Sequence, residues 1–255
     1  MILNEDQRMV RDMARAFARE KLAPHGEAWD KDGAFPPEVL REMGALGFFG
    51  MTVPEEWGGA GVDYVSYALA LMEVAASNGG LSTVMSVNNA PVCAVLLNHG
   101  SDAQKEEFLK PLASGQMIGA FCLTEPQAGS DAGMLKCRAR RTNSGYVLSG
   151  TKQFITSGKI AGAAIVFAVT DPDAGKKGIS AFVVRTDAPG YTVAKIEDKL
   201  GQKASDTCSI MFDDMEVPAD ALIGEEGEGY RIALANLEAG RIGIAAQSVG
   251  MARAA

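Results

Sequence analysis

The sequence predicts an α+β multidomain protein: an amino-terminal α-helical domain, then an antiparallel β-barrel-like domain, then a truncated helix of a third, all-α domain. Three observations predict it. Apolar residues recur at helical spacing up to about residue 115. Short runs rich in Val, Ile, Phe and Thr, broken by Gly, Asn, Asp and Pro, fill 117 to about 212. The 3.6-residue period returns at Glu228. These shifts place the domains at 1–116, 117–226 and 227–255.

In the first domain, Asn4 and Gln7 have the spacing of an N-cap and its capping-box partner, and Met9, Met13 and Phe17 then repeat on one face. Pro36 and Pro37 open a second helix with Val39, Leu40, Met43 and Leu46 inward, and Gly44 and Gly47 end it. Residues 54–61 (PEEWGGAG) read as a loop, with Trp57, Gly58 and Gly59 in a structural role. Asp63 caps a third helix carrying Tyr67, Leu71 and Val74. Residues 81–97 form a fourth; Ser82, Ser86, Asn88 and Asn89 mark it as buried rather than membrane-spanning. Ser101 and Gln104 repeat the capping-box spacing before a fifth helix containing Phe108 and Leu109.

In the second domain, strands are read at 145–149, 164–168, 179–184 and 191–195. No helical pattern separates them, which argues for antiparallel pairing, because parallel neighbours need crossover helices. In the third, Tyr230, Leu234, Leu237, Arg241, Ile244, Ser248 and Met251 trace one helical stripe. The chain reaches Ala255 among helix-favouring residues with no Gly stop signal, so the sequence predicts a polypeptide cut within a helix.

Composition narrows the function. A net charge of −8 argues against a nucleic-acid surface. Residues 1–11 are polar and lack a signal-peptide core. The four cysteines (Cys93, Cys122, Cys137, Cys208) are widely spaced and only two histidines (His25, His99) exist, so no metal site is expected. Reduced thiols and a cytoplasmic location are the simplest reading. His25 and His99 read as surface or cap residues.

Three local patterns carry candidate chemistry. Around Thr124 to Ser130 a strand runs into a turn freed by Gly129. Such a turn either simply ends the strand or holds a phosphate or heteroaromatic edge with amides and hydroxyls. Phe154 and Thr156 are two apart, so on a regular strand they face one side. They are either core residues or an apolar face and a hydroxyl for a planar ring. Arg241 lies among apolar helix residues and needs either Glu238, three residues earlier, or a ligand anion.

Four segments in register resemble the acyl-CoA dehydrogenase family: 121–131 (FCLTEPQAGSD), 152–158 (KQFITSG), 201–207 (GQKASDT) and 237–246 (LEAGRIGIAA). The resemblance covers essentially the whole chain. It implies a helical domain, a β-barrel-like domain and a four-helix bundle of which this chain holds the first helix. It also implies an FAD cofactor contacted by Phe121, Leu123, Thr124, Gly129, Ser130, Phe154, Ile155 and Thr156. Phe154 stands where relatives often have Trp, so an indole N–H donor is lost. The acyl-CoA substrate would be met by Ser130, Tyr230, Glu238 and Arg241.

The implied reaction is α,β-dehydrogenation of an acyl-CoA thioester. A carboxylate takes the α-proton, and hydride leaves the β-carbon for the flavin. Negative charge grows on the thioester oxygen and needs donors. In relatives these are a ribityl hydroxyl and the amide of the catalytic glutamate. Most relatives carry that glutamate beyond the point this chain reaches; a minority carry it beside the helix arginine, where Gly240 stands here. No catalytic base is therefore expected in this chain, and neither Glu125 nor Glu238 is assigned that role. The resemblance further implies electron-transfer flavoprotein as acceptor and self-association as a homotetramer. Weak or absent FAD binding by this chain is expected. A non-catalytic flavin- or acyl-CoA-binding remnant or oligomerisation module is the alternative, and an acyl-CoA oxidase or flavin monooxygenase fits the first motif less well.

Overall fold

The computed structural model describes residues 2–255. The first helix, α1 (Glu5–Phe17), starts with the capping box: the Gln7 amide donates to Asn4 Oδ1 at 2.8 Å and Asn4 N–H donates to Gln7 Oε1 at 3.2 Å. Its inner stripe is Val10, Met13, Ala14 and Phe17, whereas Met9 is 64% exposed. Helix α2 (Gly26–Asp32) follows; it has no apolar stripe to announce it and buries no residue. Helix α3 (Pro37–Ala45) opens on the Pro pair as expected. Gly44 lies inside it rather than ending it, pressed against the backbone of Ser114 and Gly115, and Leu46 turns outward.

Helix α4 (Tyr64–Ser77) is capped by Asp63 and buries Tyr67, Leu71 and Val74. Helix α5 (Gly79–Val87) begins at an Asn78 cap. The apolar run 81–97 is not one regular helix. Ala90 is extended (φ −146°, ψ 117°) ahead of Pro91, and the chain resumes as α6 (Ala94–His99). The whole stretch Gly79–His99 is long and apolar enough to cross a membrane, but 78% of its most apolar window is buried inside the protein. Asn88 and Asn89 stay inside because their amides bond the backbone of Phe49, Leu112, Phe48 and Met85. The Ser101–Gln104 capping box opens α7 (Asp102–Gln104), which runs through a wider turn into α8 (Lys110–Ala113).

The second domain is a single twisted sheet of β1 (Gly119–Cys122), β2 (Arg138–Arg141), β3 (Gly145–Thr156), β4 (Ala163–Val169), β5 (Ile179–Arg185), β6 (Tyr191–Ile196), β7 (Thr207–Pro218) and β8 (Leu222–Ile223). The order is β6-β7-β3-β2-β4-β5-β8, with β1 against β4. Pairing is mostly antiparallel, but β1 and one residue of β2 run parallel to β4. No helical pattern announces these parallel contacts, because the chain between β1 and β4 crosses over through β2 and β3 rather than through a helix.

Helix α9 (Gly229–Ala254) closes the molecule. Its buried face is Ile232, Ala233, Asn236, Gly243, Ala246, Gln247 and Gly250, not the predicted stripe. A Cβ on Gly243 would lie 2.4 Å from Ser86 Oγ and 2.6 Å from the Tyr67 hydroxyl. Glycine there lets the α9 backbone approach α4 and α5, so the inner face is small and polar rather than bulky. Glu73 on α4 ties the ends together: it accepts from Arg15 of α1 at 3.0 Å and from Arg253 of α9 at 2.9 Å.

Candidate flavin and acyl-CoA cleft

The predicted stripe of α9 forms one wall of a cleft of about 620 Å³. From this helix come Leu237, Gly240, Arg241, Ile244, Ala245 and Ser248; the opposite wall carries Phe121, Phe154 and Thr156. The break at Ala90–Pro91, with Ser86 and Val87, also lines it, so irregular backbone meets the cavity there. Burial pushes the Tyr67 phenol up to about 12, and it donates to Ser86 Oγ at 3.5 Å behind that wall.

Phe154 and Thr156 share the cleft wall, but not through strand alternation. Lys152 pairs with Ile210 and Ile155 with Cys208, so β3 carries an extra residue here, a β-bulge. Phe154 takes the left-handed conformation (φ 58°), and Ser157 does so again (φ 60°). Each such residue without glycine costs roughly 1–2 kcal/mol. The strain keeps Lys152 and Ile155 inward while turning Phe154, 59% exposed, and Thr156 outward. Residues held this way against preference are concentrated at functional sites.

The other predicted residues are distributed more widely. Leu123 and Ile155 send their side chains into the cores rather than the cleft. Thr124 is half-buried and its carbonyl accepts from the Gln153 amide at 2.8 Å, stitching the turn to β3. Gly129 and Ser130 are exposed on the loop beyond it. Tyr230 sits at the start of α9, away from the cleft lining, with the Lys176 ammonium 4.9 Å from its ring. Lys176 also packs against Gly133, so this basic residue spans between the Ser130 loop and Tyr230. Arg241, which sits among apolar residues in the sequence, is exposed at the cleft. Among the described residues it forms no ion pair with Glu238 or any other carboxylate.

Glu125 is fixed in a structural role. It accepts from Lys152 Nζ at 2.8 Å and from the amides of Lys136 at 2.6 Å and Cys137 at 2.9 Å. Lys152 also donates to the Leu123 carbonyl. No carboxylate lines the cleft among the described residues. The four cysteines are buried and free. His25 is exposed and stacks on Trp29, and His99 lies in the last turn of α6. Trp57 lies under Lys105 and Lys110, and Gly59 leaves no room for a Cβ beside Val53, in keeping with a structural loop.

The sequence pattern of the acyl-CoA dehydrogenase N-terminal domain matches residues 4–116, and that of the acyl-CoA dehydrogenase middle domain matches 120–215. The chain belongs to the acyl-CoA dehydrogenase family. An acyl-CoA dehydrogenase of Bacillus subtilis is 46% identical over 255 residues, covering 100% of this chain and 67% of that protein. The butyryl-CoA dehydrogenase structure from Megasphaera elsdenii superposes with a TM-score of 0.96 at 40% identity, covering 100% of this chain and 67% of that one. A glutaryl-CoA dehydrogenase of Mycobacterium smegmatis, solved in complex with FADH2, gives a TM-score of 0.92 at 38% identity, covering 99% and 64%. The chain spans 61% to 67% of the length of such curated relatives.

The cleft residues to which the sequence assigns no ligand contact are Ser86, Val87, Ala90, Pro91, Leu237, Ile244, Ala245 and Ser248. A signal for them existed. Pro91 inside an apolar run marks a helix break, and Leu237, Arg241, Ile244 and Ser248 share one helical stripe.

Proposed function

We propose that this chain supplies the flavin and acyl-CoA walls of an acyl-CoA dehydrogenase acting on short acyl chains. The cleft between the strained Phe154–Thr156 edge and the Arg241 face of α9 carries the reading. Its residues fit FAD: an exposed aromatic ring and a hydroxyl on one wall, Phe121 beside them, and a loop with Gly129 and Ser130 open for phosphates. When bound, FAD accepts the hydride leaving the β-carbon.

The chain's own residues then orient and desolvate. Arg241 offers an unpaired guanidinium to the anionic CoA portion. Val87, Ala90 and Pro91 add apolar lining for the acyl group, and the likeness to a butyryl-CoA dehydrogenase supports a short one. The base that takes the α-proton is proposed to come from outside these 255 residues, since the cleft has no carboxylate among the described residues and Gly240 occupies its wall. Electron-transfer flavoprotein as acceptor, a homotetramer and a cytoplasmic location are proposed with it. The exposed apolar face of Leu234, Ile242 and Val249 supports further association.

The missing carboxylate also favours a second reading, a non-catalytic flavin- or acyl-CoA-binding role. Titration with FAD and butyryl-CoA, read by flavin absorbance and fluorescence, tests the site. Weak saturable binding is expected; an unperturbed flavin at millimolar protein would overturn the cleft assignment. Turnover of butyryl-CoA with an artificial acceptor would overturn the assignment of the base to residues outside this chain.

A further inference from the structure

Within the strained turn that presents Phe154 and Thr156, the Gly158 amide meets the Ile155 carbonyl at only 3.4 Å, while the Ala161 amide donates to the Ser157 carbonyl at 2.8 Å just beyond it. Further restraint comes from the segment leading into β7. The Asp206 carbonyl accepts from the Ser157 amide at 3.0 Å, and Asp206 Oδ2 accepts from the Lys159 amide at 2.7 Å. One residue thus receives two backbone donors, one from the second left-handed residue itself and one from two residues beyond it. The Cys208 thiol donates to the same carboxylate oxygen at 3.1 Å; burial, then Asp206 itself, pushes that thiol up to about 12, so it keeps its proton. Tyr191 holds the turn from the other side, donating to the Gly158 carbonyl at 2.9 Å. Lys199 brings an ammonium alongside, bonded to the Ser205 carbonyl and, at 2.9 Å, to Thr207 Oγ1.

This arrangement is not what packing for stability alone would select. Asp206 is 9% exposed, and its second oxygen, Oδ1, is buried with no partner, as are the Ser157 and Ser205 hydroxyls beside it. Orphaned buried polar atoms cost stability, and two left-handed residues add to that cost. A carboxylate retained under those conditions has a geometric task.

We propose that Asp206 is a positioning residue: it fixes the Phe154–Ser157 turn and thereby aims the Phe154 ring and the Thr156 hydroxyl into the cleft. The clamp stands on the hydrogen bonds alone; its consequence for a ligand rests on the flavin reading above.

Hydrogen–deuterium exchange of peptides covering 153–160, together with FAD titration, tests this on Asp206→Ala and Asp206→Asn. Alanine removes the acceptor for the Lys159 amide. Exchange across the turn should rise about tenfold and FAD affinity should fall about fivefold to tenfold. Asparagine keeps an acceptor oxygen and should restore both to within about twofold of the parent. If alanine prevents folding, Asp206→Glu, which shifts the carboxylate by one methylene, should raise exchange in the same direction. Unchanged exchange in a folded alanine or glutamate variant overturns the clamp. Faster exchange with unchanged FAD affinity overturns the aiming role. If the parent itself binds no FAD, the flavin reading fails, while the exchange result still decides the clamp.

Discussion

Lys152 places its ammonium 2.8 Å from the Glu125 carboxylate, with the two side chains 0% and 3% exposed. The pair links β3 to the turn that follows β1, and the carboxylate also accepts from the Lys136 and Cys137 amides and from Gln127 Nε2 at 2.6 Å. Breaking such a pair from one side leaves a buried charge without its partner. Lys152→Met should therefore destabilise the protein by about 3–5 kcal/mol in urea unfolding. A loss below about 1 kcal/mol would show that the pair is not closed in solution.

The same carboxylate predicts an acid limb. Burial works to raise the Glu125 carboxyl, but Lys152 and the two amides outweigh it and hold it below its ordinary 4.5. A depressed carboxyl contributes stability fully above the unfolded value and loses it as pH falls through the folded value. Glu73, held down by Arg15 and Arg253 against burial, acts in the same sense. Urea stability should fall from about pH 5 downward, and Glu125→Gln should flatten that slope while lowering stability at neutral pH. A variant with the parent's slope would remove Glu125 from the acid transition.

Phe154→Gly separates strain from binding. Glycine adopts φ 58° without penalty, and the phenyl ring is already 59% exposed, so little burial is lost. The variant should gain up to about 1 kcal/mol in thermal unfolding yet bind FAD more weakly. Tighter flavin binding by the glycine variant would contradict the ring's place on the cleft wall.

Two glycines eleven and fourteen residues into α9 should respond in opposite ways. A Cβ at Gly240 meets nothing nearer than the Ala90 carbonyl at 3.5 Å, so Gly240→Ala should stabilise by up to about 1 kcal/mol through helix propensity. At Gly243 a Cβ would meet Ser86 Oγ at 2.4 Å and the Tyr67 hydroxyl at 2.6 Å, and Gly243→Ala should cost about 1–3 kcal/mol. Thermal midpoints of the two variants, measured side by side, check this; equal shifts would contradict the close α9 approach.

Arg241→Ala removes an exposed cation with no carboxylate partner. Stability should change by no more than about 0.5 kcal/mol. Affinity for butyryl-CoA should drop, and its dependence on salt should weaken, in isothermal titration. Unchanged affinity at low salt would take the CoA portion away from this arginine.

Much of this was legible without coordinates because it is local. Asn4–Gln7 and Ser101–Gln104 specify helix starts by hydrogen bonds three residues apart, and Asp63 does the same for α4. The β runs at 145–149, 164–168, 179–184 and 191–195 fall inside β3, β4, β5 and β6. Where reading failed, the deciding partner was distant. Met9 follows the helical period yet finds nothing to pack on, and Arg241, for which Glu238 was one candidate partner, stands free at the cleft.

The sequence by itself determined the family, the helix-then-sheet order and most element starts, since caps, periods and motifs act over a few neighbouring residues. Only the tertiary structure decided which face of α9 is core and which is cleft, because a glycine-lined face is buried by close backbone approach rather than by hydrophobicity. It also decided how Phe154 and Thr156 come to share a wall. Their common direction is imposed by a bulge registered against β7, a relation between strands that lie more than fifty residues apart in sequence.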